Sequence, residues 1–81
     1  MIKDIVLKKY NLNIYLENEI NESLMIILRK RLLCIIRNFK ILNITVFLKN
    51  IAESDLSKLN NFFYEYKDTN IYFIASSLTS N

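Results

Sequence analysis

The sequence contains no glycine, proline, histidine or tryptophan, and it has a single cysteine. Without glycine there is no glycine-lined phosphate loop, which excludes P-loop and Rossmann nucleotide sites. Without histidine and with one cysteine, the common zinc sites lack ligands and no internal disulfide can form. Turns must be made without glycine, so we expect asparagine to supply positive φ. The candidates near element boundaries are Asn11, Asn18, Asn50, Asn61 and Asn70.

Length and hydrophobicity predict one small folded domain. The 81 residues leave room for a single core, and a hydrophobic content of 52% is too high for a disordered chain. Charged residues interrupt every apolar run before the roughly 20 residues of a membrane helix, so we expect no membrane insertion. No signal-peptide pattern follows Met1, which predicts a cytoplasmic protein or, if organelle-encoded, one of the organelle interior. Residues 77–81 are predicted to be a flexible tail. The amino-acid usage is typical of an A+T-rich genome.

The hydrophobic patterns predict an α/β fold in the order β-β-α-β-α-β. Alternating residues indicate strands at 2–8, 12–17, 43–49 and 71–76, with the third strand central. A long helix starts after Asn21, its expected N-cap, and a second spans about 53–67 with Ser54 as its expected N-cap. The second helix has an apolar stripe of Leu56, Leu59, Phe63 and Tyr66. Right-handed crossovers place both helices on one face of a mixed sheet of about four strands, giving two layers.

The long helix at residues 23–39 has two apolar sides. At about 100° per residue, one side forms an arc of roughly 120°, as expected of a core-facing stripe. This stripe consists of Leu24, Met25, Leu28, Leu32, Ile35, Ile36 and Phe39. Ile26 and Leu33 stack on the far side, and Ile27 and Cys34 form a third strip. For Cys34 we expect buried packing in preference to a reactive thiol.

The far side of this helix is a candidate contact surface. Ile26 and Leu33 lie among Arg29, Lys30 and Arg37, and two helices on one sheet face leave nothing to cover them. An apolar centre with a basic rim is typical of a protein-binding surface. Partner binding is therefore predicted at Ile26, Arg29, Lys30, Leu33 and Arg37, by another protein or a larger complex, with a homo-oligomer as a further option.

Nucleic acid is a less favoured alternative partner. The uncovered sheet face carries Tyr15 and Phe47, with either Tyr72 and Ile74 or Ile71 and Phe73. Aromatic residues on a sheet can stack on bases. Residues 1–40 hold eight Lys or Arg against four Asp or Glu, but the densest basic cluster, residues 29–31, is on a helix. That placement favours a solvated basic face or an acidic partner.

No residue group predicts catalysis. Ser54 lacks a histidine base, so capping is the better interpretation than nucleophilic attack. Glu53 and Asp55 in a first helical turn are ordinary complements of the helix dipole. Glu17, Glu19 and Glu22 could hold a metal, but we expect them to be solvated. We therefore expect no enzyme activity, no catalytic residues, no cofactor and no metal.

The order of elements and several short motifs resemble a STAS domain of the anti-sigma-factor-antagonist type. The likeness covers about residues 4–76 and rests on Leu16-Glu17-Asn18-Glu19-Ile20-Asn21, on Leu28-Arg29, on the strand at 44–48 and on Ser54-Asp55-Leu56. Asn18 and Asp55 stand at the glycine positions of the family. The resemblance implies a regulatory module whose partner docks at the start of the second helix, on Ser54 and Asp55. It also implies that Ser54 is a phosphorylation site.

A second, weaker resemblance is to the Clp protease subunit. It rests on the run from Ile14 to Asn21 and on the strand Thr45-Val46-Phe47-Leu48-Lys49-Asn50. Ala52 and Glu53 stand where that family has its oxyanion-hole glycines, which implies an inactive relative. The sequence therefore predicts a non-catalytic, STAS-like interaction module. The alternatives are a structural subunit of a large assembly, organellar or ribonucleoprotein, and an inactive Clp-like subunit.

Overall fold

A computed structural model describes residues 1–79 and confirms the predicted α/β fold and element order. Four strands and two helices alternate as β-β-α-β-α-β. The elements are β1 Ile2–Lys8, β2 Asn11–Glu17, α1 Glu22–Asn38, β3 Asn43–Ala52, α2 Glu53–Phe63 and β4 Asn70–Thr79.

The strands form one mixed sheet in the order β1-β2-β3-β4. β1 and β2 are an antiparallel hairpin, whereas β2, β3 and β4 are parallel. Each parallel pair is connected through one helix, which is the usual arrangement of a βαβ crossover. As predicted, β3 is an inner strand, paired on both sides.

One hydrophobic core lies between the sheet and both helices. Alternate residues of β2 and β3 point into it, so that one face of each strand is fully buried. The core residues are Leu12, Ile14, Leu16, Ile20, Leu24, Leu28, Leu32, Ile41, Ile44, Val46, Leu48, Ile51, Leu59, Phe62 and Phe63. Because both helices contribute to this single cluster, they cover the same face of the sheet.

Helix α1 begins where the sequence predicts. The Asn21 side chain accepts a hydrogen bond of 2.9 Å from the backbone N–H of Leu24, which is an N-cap contact. Most of the predicted stripe is buried or half-buried, but Ile36 and Phe39 are exposed. Ile36 lies at the margin of the arc, and Phe39 has left the helix with an extended backbone.

The prediction that Cys34 is buried was wrong, because its thiol is exposed. Cys34 lies on the side of α1 that faces away from the sheet, and its position on the helix decides its exposure. Its carbonyl oxygen accepts a 2.7 Å hydrogen bond from the side-chain amide of Asn38.

Helix α2 is shorter than predicted and begins differently. It ends at Phe63 instead of residue 67, although Tyr66 still packs against the core from the following turn. Its N-cap is Ala52, with no side-chain hydrogen bond, so the prediction that Ser54 caps the helix was wrong. The reason is that β3 continues to Ala52 and leads into α2 without a linking residue.

Two of the three positive-φ residues in the described chain are asparagines, as expected for turns made without glycine. Within residues 1–79, positive φ occurs at Lys9, Asn18 and Asn50. Asn18 and Asn50 were predicted, and their side chains share a 2.8 Å hydrogen bond. In the β1–β2 reversal, however, Lys9 takes the positive φ that was expected of Asn11, which instead begins β2.

Strand β4 is longer than the sequence indicates. It extends to Thr79, beyond the predicted end at residue 76. The last two residues of the predicted flexible tail, 80 and 81, lie outside the described residues.

Candidate partner-binding surface

The outer face of α1, opposite the buried stripe, is the most apolar exposed helix surface among the described residues. We define it by Ile26, Ile27, Lys30, Leu33 and Arg37. The side chains of Ile26, Ile27 and Leu33 are 57%, 49% and 47% exposed. Branched apolar residues on the solvent side of a helix remain in water unless another surface covers them.

The residues that define this face carry only positive charge, and a nearby carboxylate is that of Glu22, which lines a groove with Ile26 and Arg29. Lys30 and Arg37 lie beside the stacked pair of Ile26 and Leu33, and within residues 1–75 neither cation is in an ion pair. Helix α1 carries four cationic side chains and one carboxylate, that of Glu22. The outer face therefore combines an apolar centre with free positive charge.

Arg29 was predicted to belong to the same rim, but it has a partner inside the molecule. Its Nη1 donates to both carboxylate oxygens of Glu65, at 2.8 and 3.1 Å. Its guanidinium also lies 5.1 Å from the ring centre of Phe62. The hydrogen bond to Glu65 is the main reason that the pKa of Arg29 is raised. Arg29 thus connects α1 to the segment that follows α2. Sequence spacing could not reveal this contact, because the partners are 36 residues apart.

Tyr66, which lies near this contact, also has a shifted pKa. Burial raises the pKa of the Tyr66 hydroxyl, while the nearby positive charge of Arg29 acts in the opposite direction. The Tyr66 ring lies 5.8 Å from that of Phe62 and 6.0 Å from that of Phe63. These contacts hold the chain against the core after α2 ends.

The other predicted partner-binding residues lie at the start of α2. Ser54 is exposed, and its carbonyl oxygen accepts a 3.3 Å hydrogen bond from the Ser57 hydroxyl. The carboxylate of Asp55 forms an ion pair with Lys58 at 3.3 Å. No hydrogen bond or ion pair in the described part of the chain joins these residues to the outer face of α1. They form a separate surface with an accessible serine hydroxyl.

A cleft beside the start of α1 was not predicted. It has a volume of about 510 Å³ and is lined partly by Met1, Asn18, Ser23, Ile27 and Arg31. The amino group of Met1 lies at the cleft and donates to the carbonyl oxygens of Glu17 and Glu19. Because Ile27 belongs both to the cleft and to the outer face of α1, the two surfaces are continuous.

The sheet face opposite the helices is open in the described structure. Strand pairing places Tyr15, Phe47 and Ile74 in one row across it, with Asn13, Thr45 and Tyr72 in the next. Of the two sequence alternatives for β4, Tyr72 and Ile74 therefore face this side. The rings of Tyr15 and Phe47 stack at 4.6 Å with an interplanar angle of 7°.

This stacking bears on the nucleic-acid alternative. The 4.6 Å separation matches the spacing of neighbouring strands, so the two rings stand upright on the sheet and face each other. A base-stacking platform needs ring faces that point to the solvent. Tyr15 and Phe47 present ring edges instead, and this arrangement makes the sheet face a poor platform for bases.

The polar end of the same face contains an asparagine ladder. Asn43 donates to the side-chain oxygen of Asn11 at 2.7 Å and accepts from the side-chain amide of Asn70 at 3.1 Å. These residues begin the three parallel strands and are in register. The ladder connects the three strand starts.

The acidic residues considered as metal ligands or catalysts are placed apart or paired. The Glu17 carboxylate lies 3.6 Å from the ammonium group of Lys3. Among the described residues, no group of three or more His, Cys, Asp or Glu side chains is arranged to hold a metal ion. Likewise, neither described helix combines the length and apolar character that a membrane-spanning helix requires.

Comparisons with protein families, curated proteins and solved structures found no significant match. The fold and its surfaces define a two-layer α/β domain with two helices on one side of a four-stranded mixed sheet.

Proposed function

We propose that this protein is a non-catalytic interaction module whose partner docks on the outer face of α1. The observation that carries the proposal is the exposure of Ile26, Ile27 and Leu33 on a helix whose opposite side is buried. A helix that served only to cover a sheet would have polar residues on its solvent side. Burying these three side chains in a contact would remove apolar surface from water, which favours association.

The charges support a partner with an acidic rim around an apolar centre. Lys30 and Arg37 lie beside the apolar pair and are without an ionic partner in the described structure. The chain as a whole has a net charge of +3. Opposite charge on the partner would speed encounter and favour one orientation of docking.

The resemblance to a STAS domain adds a regulatory role to this proposal. In that interpretation the start of α2 is a second docking surface, and phosphorylation of Ser54 controls binding. The exposed hydroxyl of Ser54 supports it, since the side chain makes no capping hydrogen bond that modification would break. In the alternative, the protein is a structural subunit of a large assembly or an inactive Clp-like subunit.

The effect of Ser54→Asp distinguishes the two roles. In a regulatory module the added charge changes the affinity for the partner, while the folded protein is unaffected because a carboxylate is favourable in a first helical turn. In a structural subunit the affinity remains as in the wild type. Titration of the isolated partner into both proteins measures the difference.

Docking on α1 is tested by comparing Leu33→Asp with Tyr64→Asp. Tyr64 is 71% exposed at the end of α2, so its replacement is a matched change of an exposed apolar side chain elsewhere. Each tagged protein is produced in cells of the organism that encodes it and is purified under mild conditions. The proteins that purify with it are quantified by mass spectrometry. The proposal expects one set of proteins with the wild type and Tyr64→Asp, and its loss with Leu33→Asp. An unchanged set with folded Leu33→Asp would overturn it.

A further inference from the structure

Strand β4 has no charged residue, whereas every other helix and strand of the described structure has at least one. Its ten residues, NIYFIASSLT, contain neither charged side chains nor proline. β4 is the last strand of the described sheet, paired only with β3. An edge strand has backbone N–H and C=O groups that can pair with another strand. A long, uncharged edge without proline is therefore suited to hydrogen bonding with a further strand.

The opposite edge of the same sheet is protected. β1 carries Lys3, Asp4 and Lys8, and its register with β2 shifts between Ile2 and Asp4. Charged residues and bulges are the usual devices that prevent an edge strand from pairing. The two edges of one sheet are thus built differently, and β4 is the one that can accept another strand.

Exposed apolar side chains accompany the β4 edge on both faces. Tyr72 and Ile74 lie on the open face and are 52% and 47% exposed. Phe73 points to the helix side, where its ring contacts that of Phe63 at 5.7 Å, and it is still exposed. Register with β3 is regular from Asn70 to Ala75, so this part of the edge is suited to continuous pairing.

We propose that β4 pairs antiparallel with β4 of a second copy of this chain, which joins two four-stranded sheets into one of eight strands. The distribution of charge opposes contact between two copies at α1 and permits it at β4. If two copies met through α1, the positive charges of the two helices would repel each other. Strand β4 has no charged side chain, so no such repulsion arises between two copies of it. A two-fold axis pairs one segment with itself and closes at a dimer.

This inference does not rest on the proposed function, because it concerns a different surface. In the dimer both copies keep their helices on the same side of the joined sheet, and the outer face of α1 stays accessible in each. The contact would bury Tyr72, Phe73 and Ile74 beside the new strand pair. The result is a two-fold symmetric dimer.

The experiment compares Ile74→Lys with Val6→Lys. Both residues lie on the open face, Ile74 in β4 and Val6 in β1, so the same charge is added at each edge of the sheet. Tyr72→Lys is the second β4 variant, used if Ile74→Lys does not fold. The mass of each full-length protein is measured by light scattering over a range of concentrations, with circular dichroism to confirm folding. Hydrogen exchange of the β4 amides is followed in the same samples.

The proposal expects a concentration-dependent dimer for the wild type and Val6→Lys, and a monomer for the folded β4 variant. It also expects exchange of the β4 amides to slow as the dimer forms. A wild type that stays monomeric, a β4 variant that dimerises like the wild type, or growth into open-ended aggregates would overturn it. So would a dimer that Leu33→Asp abolishes while the β4 variant leaves it intact.

Discussion

Leu32 and Leu33 are neighbours in the chain with opposite surroundings: Leu32 is 0% exposed in the core, and Leu33 is 47% exposed on the outer face of α1. One step along a helix turns the side chain by about 100°, which is enough to move it from the sheet side to the solvent side. The same residue type therefore stabilises the fold at one position and is available to a partner at the next.

Substitution at these two positions should separate folding from binding. Leu32→Ala should lower the free energy of unfolding by about 2 to 5 kcal/mol, because it leaves a cavity in the core. Leu33→Ala should change it by less than about 0.5 kcal/mol, as is usual for surface positions. Urea denaturation followed by circular dichroism measures both. Leu32→Asp should unfold the domain, whereas Leu33→Asp should leave it folded.

Equal losses at the two positions would contradict this account. They would mean that α1 is buried on all sides in the folded chain, so that its outer face is already covered.

A side-chain cap added to α2 should stabilise the protein. Ala52 is the N-cap, and its φ of −68° and ψ of 142° are the extended geometry of capping residues. Ala52→Ser should raise the free energy of unfolding by about 0.5 to 1 kcal/mol, because the new hydroxyl can accept from a free backbone N–H of the first turn. Thermal denaturation of both proteins provides the comparison.

Ser54→Ala is the control for this change. Since Ser54 does not cap the helix, its replacement should leave the midpoint of unfolding nearly unchanged. A larger loss from Ser54→Ala than gain from Ala52→Ser would show that Ser54 has the capping role after all.

The asparagine ladder should behave as a coupled unit. Asn43→Ala removes a hydrogen bond to Asn11 and another from Asn70, and we expect a loss of about 1 kcal/mol because such bonds are partly replaced by water. Asn11→Ala should cost less in the Asn43→Ala background than in the wild type, since the shared bond is already absent. A double-mutant cycle with urea denaturation measures this coupling. Strict additivity would show that the hydrogen bond between Asn11 and Asn43 contributes no coupling energy.

The order of elements could be predicted because it depends on local patterns. Leu12, Ile14 and Leu16 alternate with polar residues, and alternation alone places them on one buried face. Asn21 capped α1 as predicted, since the capping contact reaches only three residues along the chain. The residues on the outer face of α1 could also be predicted, because the direction of a side chain on a helix follows from its sequence number.

Contacts between distant residues could not be predicted. The pair of Arg29 and Glu65 depends on how the end of α2 approaches α1, and the asparagine ladder depends on the register of three strands. Burial was expected for Cys34 because cysteine is generally a buried residue type. Its position on the outward side of α1 exposes it instead. The N-cap of α2 could not be predicted, because no sequence pattern shows that β3 runs directly into the helix.

Cys34 provides the most direct measurement of partner docking on α1. Its thiol is exposed next to the apolar residues of the outer face, and it is the only cysteine of the chain. The rate of maleimide labelling of Cys34 is measured in the purified protein and in a gently prepared extract of source cells, for the wild type and for Leu33→Asp. Other thiols in the extract also consume maleimide, so the rate for Leu33→Asp is the reference. Docking on the outer face predicts that the extract slows labelling of the wild type more than that of Leu33→Asp. Equal slowing of the two proteins would contradict the account, because it would show that nothing covers α1.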